Sequence, residues 1–83
     1  MVKGLVQGVG YRNFASSRAS RLGVNGYVRN LYNGDVEVVA SASRSMIEEF
    51  IKELKIGPRA AQVNDLMIEW RTPKQQYSNF EIR

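Results

Sequence analysis

Eighty-three residues, 43% of them hydrophobic and 24% charged, suffice for one hydrophobic core and are too few for two, so a single domain over residues 1–83 is expected. The chain contains neither cysteine nor histidine, which excludes disulfides, thiolate nucleophiles, a Ser/His/Asp triad and the commonest neutral metal ligand. Twelve Lys and Arg against eight Asp and Glu give a formal charge of +4, a mild preference for anionic partners.

Met1 to Val6 reads as a short extended piece, interrupted by the two glycines of Gln7 to Gly10. From Tyr11 the apolar positions Tyr11, Phe14, Ala15, Ala19 and Leu22 fall at helical spacing, and Gly23 is placed as a left-handed stop. Gly26 to Tyr32 and Asp35 to Ala40 are β-prone runs joined at Asn33-Gly34, a pair suited to a turn in which both central residues have positive φ. Ser45 with Glu48 forms a candidate capping box, followed by an apolar stripe of Ile47, Phe50, Ile51 and Leu54 that ends at Gly57-Pro58. Val63 to Arg71 then alternates Leu66, Ile68 and Trp70 against Met67, Glu69 and Arg71, and Tyr77 to Arg83 supplies a last strand with Phe80 and Ile82.

The first six elements, in the order βαββαβ, predict an α+β fold of ferredoxin-like type: an antiparallel sheet with two helices on one face. That architecture hosts enzymes, RNA binders and metabolite sensors, so function has to be read from a site. No segment of about 18 apolar residues suggests a membrane span, and no basic-then-apolar leader is evident. The expected location is the cytoplasm, with no membrane partner.

The candidate site lies where the first strand meets the first helix. A glycine-bearing loop opening a helix turns backbone N–H groups toward one point, at the positive end of the helix dipole. In Gln7-Gly8-Val9-Gly10-Tyr11-Arg12 the small residues allow close approach of an anion, and Arg12 adds a fork of donors. Spacing alone leaves a second reading equally open, a tight turn beside a surface arginine.

The whole run GLVQGVGYR, Gly4 to Arg12, resembles the acylphosphatase signature, with Tyr11 in place of the more usual phenylalanine. GYVRNLYNGDVEVVA, Gly26 to Ala40, is similar to the family's second element, in which a glycine-aromatic-valine strand ends in asparagine, here Asn30. Gly57-Pro58 with Ala60, Ala61 and Val63 resembles the family's helix exit, and Tyr77-Ser78-Asn79-Phe80 its final strand. Ala42 stands where the family often has glycine, and family members usually carry more residues ahead of the position of Met1, lengthening the first strand.

The resemblance implies hydrolysis of the carboxyl-phosphate bond of acyl phosphates, without metal or other cofactor; a monomer is expected on size and on the lack of any obvious extra apolar stripe. The resemblance also implies that backbone amides of Gln7, Gly8, Val9, Gly10 and Tyr11, with the Arg12 guanidinium, bind the phosphoryl group. Asn30 would position the attacking water, and inorganic phosphate would be the product. The rival readings are a non-catalytic anion sensor, a module of a larger protein handling carbamoyl phosphate, and a single-stranded RNA binder. Neither aromatic strand motif of the RNA binders is present, so no nucleic acid partner is expected.

Overall fold

A computed structural model describes residues 1–72 and 75–83. The elements are β1 (Val2–Leu5), α1 (Tyr11–Leu22), β2 (Asn25–Asn30), β3 (Val36–Ser41), α2 (Arg44–Ile56), β4 (Gln62–Leu66) and β5 (Phe80–Ile82). They form one five-stranded sheet in the order β4-β1-β3-β2-β5. Both helices pack on it through a single apolar cluster, in which Tyr11, Ala15 and Ala19 of α1 meet Phe50 and Leu54 of α2 above Val2, Val28 and Val36. This is the ferredoxin-like α+β arrangement.

Four strands pair antiparallel as expected, while β5 joins the β2 edge in parallel and makes the sheet mixed. The direction follows from the topology. Strand β4 lies at the far edge and runs with β3, so a chain that reverses after β4 and crosses to the other edge arrives parallel to β2.

Helix α1 starts at the predicted residue and stops at Gly23, where Val24 N–H donates to the Ala19 carbonyl at 2.8 Å and closes the last turn. Helix α2 begins earlier than the Ser45–Glu48 capping box implied. Its N-cap is Ser43, with no side-chain capping bond, and Ile47 N–H donates to the Ser43 carbonyl at 3.0 Å. Ser45 therefore lies inside the first turn, and Glu48 pairs with Arg44 at 3.3 Å instead.

The β2–β3 connection also differs in turn type. No non-glycine residue among those described has positive φ, so Asn33 is not left-handed; Gly34 alone is, at φ 95°. Leu31 N–H donates to the Asp35 carbonyl at 2.9 Å and Gly34 N–H to the Leu31 carbonyl at 3.2 Å. The loop is thus the three-residue Tyr32-Asn33-Gly34 form, with glycine at the left-handed position. Asn33 serves it through its side chain, whose Oδ1 accepts from Asp35 N–H at 3.0 Å.

Strand β4 ends at Leu66 rather than Arg71. The ladder with β1 closes with two bonds between Met1 and Met67, at 2.9 and 3.0 Å. Beyond it Ile68 and Trp70 are exposed, because alternation makes a strand only where a partner strand lies alongside.

Gly26 settles how closely β2 and β3 approach. A Cβ there would collide with the Val39 carbonyl oxygen, and at φ 139° the backbone also disfavours any side chain. The close contact holds β2 at the register that pairs Asn30 with Val36, where the strand ends beside the α1 loop.

Candidate active site

Gly8 and Gly10 take φ values of 72° and 79°, alternating with residues of negative φ. Such an alternation curls successive N–H groups around a common point. A Cβ at either glycine would meet nothing within 4 Å, so it is the backbone angle, not lack of space, that calls for glycine here. Gly10 is also the N-cap of α1; the first helical bond, Phe14 N–H to the Gly10 carbonyl at 3.0 Å, leaves the N–H groups of the first turn without intrahelical acceptors. The first turn contains no acidic side chain to compete for them.

Above this loop lies a recess of about 240 Å³, lined by Gly8, Gly10, Arg12 and Asn30 together with Val6, Tyr11, Asn13 and Ile82. The structure therefore brings Arg12 and Asn30, 18 residues apart in sequence, to one cavity. Arg12 reaches it from the second residue of α1, and Asn30 from the last residue of β2. Arg12 Nη1 donates to the Arg83 main-chain oxygen across a long 3.4 Å contact, which leaves most of its donors available. Asn30 Oδ1 is buried and accepts no hydrogen bond from any described residue, a costly placement for a structural polar group and one expected of a functional group.

Three of the expected phosphate-binding residues have side chains engaged in the core or on the β2–β3 loop. Tyr11 is buried, with its ring in the core and its hydroxyl donating to the Leu54 carbonyl at 2.7 Å. That burial pushes its phenol pKa well above the ordinary 10.0, so Tyr11 carries no charge at neutral pH. Val9 packs partly against the core. Gln7 directs its side chain away from the recess, onto the β2–β3 loop. For these three, an anion contact would have to come from the main chain.

Val6, Asn13 and Ile82 also line the recess and are not among the expected site residues. Ile82 could have been found from register: it pairs with Val28, two positions from Asn30, and alternation then puts it on the same sheet face as Asn30. Asn13 carried no comparable signal.

The family model for acylphosphatase matches residues 1–82. The chain belongs to the acylphosphatase family. An acylphosphatase of Dehalococcoides mccartyi strain CBDB1 is 45% identical over 84 aligned positions, which take in all of this chain and 92% of that relative. The crystal structure of the Bacillus subtilis acylphosphatase superposes with a TM-score of 0.92 at 31% identity, covering 99% of this chain and 91% of that one. A HypF from T. kodakarensis also matches, with a TM-score of 0.88 at 31% identity, but there the likeness covers 99% of this chain and 11% of the other. Acylphosphatases are thus similar to this chain over nearly their whole length, whereas HypF contains the same fold as a small part.

Proposed function

We propose that this acylphosphatase hydrolyses acyl phosphates to a carboxylate and inorganic phosphate with Arg12 and Asn30 as its catalytic residues. The observation that carries the assignment of roles is the convergence of both side chains on the recess above the left-handed Gly8 and Gly10. The N–H groups of Gln7 to Tyr11 and the Arg12 guanidinium hold the phosphoryl oxygens. Phosphoryl transfer spreads charge over the equatorial oxygens in its transition state, and a ring of fixed donors stabilises that charge without rearranging.

Asn30 does not titrate at neutral pH, so it acts by orienting water. The water oxygen bonds to phosphorus, the bond from phosphorus to the acyl oxygen breaks, and the carboxylate departs with the electron pair. The water proton passes to a phosphoryl oxygen. A carboxylate is a good leaving group, so the chemistry needs no strong general acid.

We further propose that the enzyme works as a monomer in the cytoplasm on a small-molecule substrate, without nucleic acid or metal. Among the described residues no helix is long and apolar enough to cross a membrane, and none of their acidic side chains group in threes to hold a metal ion. The test is hydrolysis of benzoyl phosphate, with spontaneous hydrolysis subtracted and a chelator present, comparing the unaltered chain with Arg12→Ala and Asn30→Ala. Chelator-resistant turnover lost in both variants is the expected result. Folded protein that matches the blank would overturn the proposal.

A further inference from the structure

The Gln7 side chain ties the phosphate loop to the segment that carries Asn30. Its single nitrogen, Nε2, donates to the Leu31 carbonyl at 2.7 Å and to the Asp35 carbonyl at 2.9 Å. An amide nitrogen has two hydrogens, and here both are used. The acceptors are themselves immobilised, because the Asp35 carbonyl already accepts from Leu31 N–H and the Leu31 carbonyl from Gly34 N–H. Each carbonyl thus offers its second lone pair to Gln7.

The loop behind those carbonyls is pinned as well. The buried Asp35 carboxylate accepts from Lys3 Nζ at 2.8 Å and from Asn33 Nδ2 at 3.2 Å. Leu31 directly follows Asn30, while Gln7 directly precedes Gly8. Gln7 therefore bridges the segment that follows Asn30 and the glycine loop assigned to the phosphoryl group.

Resting on the site assignment above, we infer that Gln7 is a positioning residue, whose side chain fixes the distance between the phosphoryl cradle and the water oriented by Asn30. The cradle keeps its own shape through the glycine backbone angles and the start of α1. Losing the Gln7 bonds should therefore spare phosphate binding and impair turnover. A displacement of a fraction of an ångström between nucleophile and electrophile is enough for this, since small misplacements reduce rates steeply.

The test compares Gln7→Met, which keeps length and volume but has no donor, with Gln7→Glu, whose carboxylate would face two carbonyl oxygens. For Gln7→Met the expected kcat on benzoyl phosphate falls about tenfold, while the inhibition constant for inorganic phosphate stays within about twofold. Gln7→Glu should lose more. In an Asn30→Ala background the Gln7→Met change should add little, because the residue it positions is gone.

Should that background turn over too slowly to time, the side-chain amide resonances of Asn30 decide, moving in Gln7→Met if the strap sets Asn30. An unchanged kcat, an equal tenfold loss in both backgrounds, or unmoved Asn30 resonances would overturn the inference. These failures differ from a failure of the site assignment, in which Arg12→Ala would hydrolyse benzoyl phosphate as fast as the unaltered chain.

Discussion

Tyr11 supplies the hydrogen bond that Pro58 cannot. In an uninterrupted helix the Leu54 carbonyl would accept from the N–H four residues on, and proline has none. The Tyr11 hydroxyl donates there instead, at 2.7 Å in the buried core. The residue preceding Arg12 is thereby fastened to the end of α2, and the tyrosine that replaces the family's more usual phenylalanine has a physical function.

Tyr11→Phe is expected to cost about 1–3 kcal/mol, the range for leaving a buried acceptor unpaired. Denaturant unfolding measures the loss, and kcat on benzoyl phosphate should be little changed because the hydroxyl is engaged with the Leu54 carbonyl of α2.

The same residue sets an alkaline limit. Burial raises its phenol pKa above the ordinary 10.0, so on raising the pH the unfolded chain ionises before the folded one. This contribution to stability is complete below pH 10.0 and declines above it. Unfolding free energies measured on both sides of that pH should fall less steeply in Tyr11→Phe than in the unaltered protein.

Arg12→Ala should lose at least about 3 kcal/mol of transition-state stabilisation, by analogy with removal of an oxyanion donor. Arg12→Lys should fare little better, since a point ammonium lacks the planar fork. The ratio of kcat/KM values on benzoyl phosphate checks both.

Asn30 invites the opposite combination of effects. Its Oδ1 is buried without a partner, so Asn30→Ala should be neutral or slightly stabilising while kcat collapses. Thermal unfolding beside single-substrate kinetics separates the two. A variant that loses activity only in proportion to lost folded protein would count against a role in chemistry.

With no histidine or cysteine in the chain, no side chain has an ordinary pKa near neutrality. The expected kcat profile is a broad plateau across neutral pH, and a sharp bell there would contradict the mechanism.

How much could be read in advance depended on whether the deciding interaction was local. Helix α1 was legible from end to end, because spacing, Gly10 and Gly23 are all properties of its own segment. The turn at Asn33-Gly34 was located correctly but assigned the wrong geometry, since Asn33 acts through its side chain on Asp35. The length of β4 was misjudged because a strand lasts only as long as its neighbour. At the candidate site, the glycines and Arg12 showed themselves as candidates through the spacing of the Gln7 to Arg12 loop, and Asn30 through the family likeness. The strap from Gln7 did not, because its acceptors are backbone carbonyls with no residue-type signature.

Ile82 and Val6 both line the recess, and the contact of Arg12, another lining residue, with the Arg83 main-chain oxygen joins residues 71 positions apart. Contacts so remote in sequence bear the loop-closure entropy of the intervening chain and are expected to form late in refolding. Helical signal should accordingly return earlier than hydrolytic competence in a stopped-flow experiment. Recovered turnover would then register the docking of β5 rather than the formation of either helix, giving a kinetic clock for the last step of assembly.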